Sequence, residues 1–299
     1  MKLASLAVTY ALVATAQADT PVARPEAFEA DRDAPPPGQG ELGFDAGGPV
    51  GRWAASVQLG YLDRPFRLHT QQIETFPIRR RETFALGGAF AIGSALLVDA
   101  RFPLVHQVGD RFMGLGDETP LDRFVIGDLG IGVRLRIVSR DTLAVFARGQ
   151  LTLPTGDDFD FAGEARFTAA WMMIGRFMPI EGLVIAANAG VRFRAAEVMV
   201  ADRLLGDELT GALGATYELP AWPGLWCEAN HMRATAEVVG VLGNNVAGKR
   251  GPSPVEARIG WIGEIRSWLH FAVRVGKGLD DQIGAERFRA LFELIYEAE

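Results

Sequence analysis

The sequence predicts an all-β transmembrane barrel, antiparallel and up-and-down, of about 12 strands, behind an N-terminal signal peptide and a Pro-rich linker. Three observations predict it. Apolar and polar residues alternate in runs of about ten to twelve. The connections between runs alternate between short and long. The chain opens on an export leader.

The clearest alternating run is Gly127 to Val138. Leu129, Ile131, Val133, Leu135 and Ile137 fall on one parity, and Asp128, Gly130, Gly132, Arg134 and Arg136 on the other. Successive side chains of a strand point to opposite faces, so the ribbon has one greasy and one charged face. Parity alone leaves two folds open. A soluble periplasmic β-sandwich or lipid-binding barrel would turn the greasy face inward, and an outer-membrane barrel would turn it to lipid.

Taken in order, Met1-Lys2, the apolar run Leu3–Ala16 and the small-x-small site Ala16-Gln17-Ala18 predict a cleaved signal peptide over 1–18. Residues 19–50, with Pro35-Pro36-Pro37-Gly38 at their centre, read as a disordered Pro/Ala/Gly-rich linker. Residues 51–299 are the expected barrel. Strand-like runs fall near 52–61, 82–92, 95–106, 127–138, 142–153, 164–176, 182–195, 207–219, 224–235, 254–263, 267–277 and 286–297. The even count places both ends of the barrel on the short-turn side. The run 224–235 alternates worst, because His231 and Arg233 interrupt its apolar parity.

Tight connections at Gly93-Ser94, Ser139-Arg140-Asp141, Pro179-Ile180-Glu181, Pro220–Pro223 and Glu264-Ile265-Arg266 alternate with longer ones at 62–81, 107–126, 154–163, 196–206, 236–253 and 278–285. Periplasmic turns and outer loops produce that rhythm, and a Greek-key sandwich has no reason to keep it. Aromatic residues near run ends, Trp53, Tyr61, Trp222, Trp268 and Tyr296, fit interfacial girdles.

Composition excludes other classes. Apart from the leader, no window approaches an apolar membrane helix. One cysteine, Cys227, rules out an internal disulfide framework, and a net charge of −7 argues against nucleic acid. Four histidines, His69, His106, His231 and His270, hold no metal-ligand spacing and no G-x-S-x-G context, so neither catalysis, a metal nor a cofactor is expected. Asp157-Asp158-Phe159-Asp160 lacks the rest of a calcium loop and reads as a solvated acidic loop.

The charged parity supplies the expected pore lining: Arg101, Arg134, Arg136, Arg148, Arg166, Arg192, Arg194, Glu228, Glu256, Arg258, Arg274, Arg289 and Glu293. Charges enclosed by protein must be paired or hydrated. They therefore either pair into a closed lumen or line a water column that favours anionic or polar solutes. Inward Gly130, Gly132, Ala144, Ala170, Gly190 and Gly214 tilt the expectation toward open space, although glycine also relieves crowding between strands.

At Gly127-Asp128-Leu129 and Leu151-Thr152-Leu153-Pro154-Thr155-Gly156-Asp157 the sequence resembles the outer-membrane barrels known as meta-pathway phenol-degradation proteins, and the barrel domains found ahead of OmpA-type domains. The resemblance implies a transporter or channel. The expectation is thus a passive outer-membrane channel for small polar, anionic or amphipathic solutes, of unknown identity. Its partners would be outer-membrane lipid, lipopolysaccharide and the barrel-assembly machinery. The alternative in the same membrane is a structural or partner-docking barrel with an ion-paired, closed lumen.

Overall fold

A computed structural model describes residues 53–69, 74–92, 95–110, 121–140, 142–156, 163, 166–195, 198–200, 203–220, 232–243, 245–246, 249–250, 253–266, 268–280 and 287–298. The signal peptide, the linker 19–50, the acidic run 157–160, Trp222, Cys227, Glu228 and His231 lie outside them.

Twelve antiparallel strands close into one barrel. They are β1 (Trp53–His69), β2 (Glu74–Ile92), β3 (Leu96–Gly109), β4 in two segments (Leu121–Ile126 and Leu129–Arg140), β5 (Leu143–Leu153), β6 (Thr168–Ile180), β7 (Leu183–Arg194), β8 (Glu208–Glu218), β9 (Arg233–Gly243), β10 (Val255–Arg266), β11 (Leu269–Gly278) and β12 (Phe288–Ala298). Each strand pairs with its sequence neighbours, and β12 returns to β1 with Trp53 opposite Ala298 and Asp63 opposite Phe288. Closure leaves no long sheet edge, which a barrel in lipid requires because the bilayer offers no hydrogen-bond partners. Two small hairpins, Val198–Val200 with Arg203–Leu205 and Asn245–Val246 with Lys249–Arg250, project from the long-loop end.

Burial settles which face meets solvent or lipid. On β4, Ile131, Val133, Leu135 and Ile137 are exposed, while Gly132 and Arg134 are buried. The same sorting runs through β1 with Val57 and Leu59 outside, β8 with Leu209 and Leu213, β10 with Ile259 and Trp261, and β12 with Phe288 and Phe292. The greasy parity therefore points out of a closed barrel, and the sandwich alternative fails. Girdles stand at both ends of the belt. Trp53 and Trp268 pack on Tyr296 at 5.4 and 5.6 Å on the short-turn side, and Tyr61 meets Phe288 at 6.3 Å near the other end.

Several boundaries differ from expectation. β1 and β2 run through the stretch assigned to the loop 62–81, and their ladder continues to His69 opposite Glu74 past a bulge at Asp63/Phe66, where Arg64 takes φ 52°. β6 starts at Thr168 rather than 164. The largest error is the ninth strand, which spans Arg233–Gly243 instead of 224–235. Its outward row mixes Ala234, Ala236 and Gly240 with Val238 and Leu242, while Val239 and Val241 face inward, so apolar residues fall on both parities and the alternation there carries little signal. With that shift the β8–β9 connection is no longer tight, and since β1 and β2 leave only 70–73 between them, the alternation of short and long connections has two exceptions. Arg233 joins the inward row, opposite Glu218 and Ile262, rather than spoiling an outer face.

Candidate functional site: the charged barrel interior

Inward positions carry the charges that an apolar exterior excludes. Among the described residues, eight buried arginines (Arg81, Arg134, Arg148, Arg192, Arg194, Arg258, Arg274, Arg289) face six buried carboxylates (Asp99, Asp128, Glu208, Glu237, Glu256, Glu293), a positive excess to which half-buried Arg101 and Arg136 add. Paired strands bring these groups together from distant parts of the sequence.

On the β3–β5 wall Asp99 lies opposite Gly132, and Arg148 is reached across β4. Arg148 grips Asp99 in a bidentate pair, Nη1 to Oδ2 at 2.9 Å and Nη2 to Oδ1 at 3.1 Å. Such a fork fixes geometry as well as charge. Gly132 makes it possible, since a Cβ there would stand 2.5 Å from Arg148 Nη2 and 2.6 Å from both Asp99 oxygens. The space left by this inward glycine is filled by the ion pair, so here relief of crowding is the reason for the glycine. Arg134 stacks its guanidinium 5.3 Å from the Phe146 ring.

On the β7–β8 wall Glu208 faces Arg192 directly in register and takes Nη1 of Arg194 at 2.9 Å and Nη1 of Arg192 at 3.5 Å. Arg194 also donates to Gly206 O at 2.7 Å. Across β9–β12, Glu256 accepts from Arg289 Nε at 2.9 Å and from Arg258 Nη2 at 2.8 Å. Arg258 then stands 3.6 Å from Glu237, and Arg274 3.9 Å from Glu293. Arg289 is only 1% exposed, so its charge depends on these partners. The two sides of the barrel differ in balance. With half-buried inward groups counted, Arg233, Arg258, Arg274 and Arg289 exceed Glu237, Glu256 and Glu293 by one from β9 to β12, whereas from β3 to β8 Arg101, Arg134, Arg136, Arg148, Arg176, Arg192 and Arg194 exceed Asp99, Asp128, Glu208 and Glu218 by three.

Of the residues expected to line a pore, Arg101, Arg134, Arg136, Arg148, Arg192, Arg194, Glu256, Arg258, Arg274, Arg289 and Glu293 occupy the inward parity of their strands. Arg166 does not. It precedes β6 and is exposed, because the strand begins two residues later. Glu228 lies outside the described residues. Arg81 and Glu237 were not anticipated. Arg81 shares parity with Thr83 and Ala85 and donates to buried Gln107 at 2.9 Å, so extending the β2 alternation by one step would have found it. Glu237 was lost with the register of β9.

The Gly-Asp-Leu and Leu-Pro-Thr-Gly segments meet in space. β4 is interrupted at Gly127-Asp128, opposite Pro103, whose carbonyl takes the Gly127 N–H at 2.9 Å. Proline has no N–H, so a regular ladder is broken at this point anyway. Asp128 Oδ1 accepts from Gly156 N at 2.8 Å, and Thr155 Oγ1 accepts from Leu129 N at 2.9 Å while donating to Gly127 O at 3.3 Å. Gly163 packs into the same knot, where a Cβ would lie 2.6 Å from Asp128 Oδ1. The motif thus ties the end of β5 to the break in β4. Thr155→Val keeps the shape and removes both hydroxyl bonds; a stability loss of about 1–2 kcal/mol is expected in the urea midpoint of protein folded into vesicles.

Among the described residues no group of histidine, cysteine and acidic side chains is arranged to hold a metal ion.

No protein-family model and no curated protein matches the sequence. Solved structures do match. The fold is similar to that of an outer-membrane channel from Pseudomonas putida F1, with a TM-score of 0.59 and 14% identity over 85% of this chain and 98% of that one. It is also similar to the NanC porin, with a TM-score of 0.53 and 8% identity over 82% of this chain and 100% of that one. The chain is therefore a closed twelve-stranded antiparallel barrel, and it shares the fold of these outer-membrane channels.

Proposed function

We propose that the protein is an outer-membrane channel that passes small polar solutes passively and favours anions. The observation that carries this reading is the inversion of an ordinary protein interior, with aliphatic and aromatic residues outside and arginines with their carboxylates inside. The exterior belt suits lipid, and the charged interior suits a hydrated path. Outer-membrane lipid and lipopolysaccharide would be its surroundings, and the barrel-assembly machinery its route of insertion. Neither a reaction nor a cofactor is needed.

Anion preference follows from the arc between β3 and β8, where unmatched arginine charge raises the local concentration of anions. The ion pairs set the bore, because their forks cross the interior between neighbouring strands. Purified protein in planar bilayers is expected to give discrete conductance steps with an anion-to-cation permeability ratio above one. Arg134→Glu or Arg192→Glu is expected to lower that ratio several-fold. Silence from a folded, heat-modifiable preparation would favour the second reading, a structural or partner-docking barrel. The near-complete burial of Arg289, Arg274 and Glu293 supports that reading.

A further inference from the structure

The outward face of β2, β3 and β4 stays apolar from the short-turn end up to the row Phe84, Leu104 and Ile126, and all three are exposed. The next row changes character, placing Glu82, His106 and Phe124 side by side on the three strands. His106 is ten residues above Leu96, which at barrel tilt is a climb of about 26 Å, roughly the height of the apolar band. The row therefore stands at the outer rim, beyond the lipid.

There the imidazole is held on both sides. Nδ1 lies 3.0 Å from Glu82 Oε2, and Nε2 lies 3.1 Å from Asp122 Oδ1. Phe124 stacks on the ring at 4.3 Å with 19° between planes. A carboxylate accepts and cannot donate, so both contacts are hydrogen bonds only when both ring nitrogens carry protons. Arg80, 3.4 Å from Glu82, is the other charge on β2 facing this group, and the Arg79–Asp110 pair at 2.6 Å lies beyond it.

Asp122 and Phe124 belong to Leu121–Ile126, the segment of β4 beyond the break, and this segment pairs with β3 and not with β5. The β3 ladder, the buried Leu121 and the His106–Asp122 contact hold it. It leads from residues 111–120 to the knot at Asp128 and Thr155.

We propose that His106 is a proton-operated staple of the outer rim, clamping Leu121–Ile126 to β2 and β3 while the imidazole is charged and releasing it as the proton leaves. On deprotonation one carboxylate loses its donor and is left against a neutral ring. The direction follows from linkage. The Glu82 hydrogen bond, helped by Asp122, raises the imidazole above its ordinary 6.5 despite partial burial. Its stabilisation is complete below that value and is lost as pH rises through the raised one.

The test is limited proteolysis of the full-length protein folded in detergent, from about pH 6 to about pH 9, with the cleavage sites mapped. Cleavage between 121 and 127 is expected to rise several-fold across the titration in the wild type. His106→Gln, which cannot charge, is expected to be cut fast at every pH. His106→Arg, a permanent cation, is expected to be cut slowly at every pH. Each variant is first shown to keep the heat-modifiable barrel, and protease activity is normalised at each pH on an unfolded substrate. The same pH profile in the wild type and in both variants would overturn the staple, as would a flat wild-type profile.

Discussion

Replacing Glu256 by leucine is expected to cost about 3–5 kcal/mol, the largest single loss that any change of a lumen residue should cause. One carboxylate serves two buried guanidiniums, Arg289 Nε at 2.9 Å on Oε1 and Arg258 Nη2 at 2.8 Å on Oε2. Leucine leaves both cations inside the barrel. Arg258 keeps only the 3.6 Å approach to Glu237, and Arg289 loses the partner that its 1% exposure makes indispensable. The measurement is the urea midpoint in lipid vesicles, followed by the mobility shift on heating. A second substitution sharpens it. Arg289→Met in the Glu256→Leu background removes a buried charge that has lost its Glu256 ion pair and should recover a substantial part of the loss, a non-additivity that only direct coupling produces. A cost below about 1 kcal/mol for Glu256→Leu would mean that water reaches this network freely, so the bore would be wider at that level than the pairing implies.

The second large effect belongs to the other face. Val133 is 43% exposed near the middle of β4, with Val98 and Gly149 as its cross-strand neighbours. If lipid covers it, Val133→Arg should destabilise by about 2–4 kcal/mol, whereas the same change at Leu209, at the outer end of β8, should cost about 0–1 kcal/mol. On a water-exposed surface both substitutions would fall within about 0.5 kcal/mol of neutral. The depth dependence therefore tests the membrane orientation without any assay of transport, and equal small costs at the two positions would sink the membrane reading.

Most of the architecture was legible because a two-sided strand writes its orientation into every second residue. Gly127–Val138 could be assigned before any contact was known, and so could Leu269, Phe271, Val273 and Val275 against His270 and Arg274. Where the pattern failed, a physical reason is visible. In β9 apolar residues fall on both parities, Val238 and Leu242 outward and Val239 and Val241 inward, and the other outward residues are alanines and glycine, so no clean periodic signal fixes the register. In β1 and β2 the strands run on past the apolar belt, where outward residues such as Glu82 and Arg80 are polar and resemble a loop. Arg166 was assigned inward by extending the parity of β6 backwards past its actual start at Thr168.

The sequence by itself determined the class of fold, the strand count and the division of residues into an apolar and a charged set, because these depend only on the two-residue period of a strand and on its length. Which arginine meets which carboxylate was decided by tertiary structure alone. Asp99 and Arg148 are 49 residues apart and Arg289 and Glu256 are 33 apart, and their meeting depends on register and on the stagger with which the barrel closes. The same holds for the glycines. Gly132 looked like room for a solute, and only the closed barrel revealed that an ion pair occupies it.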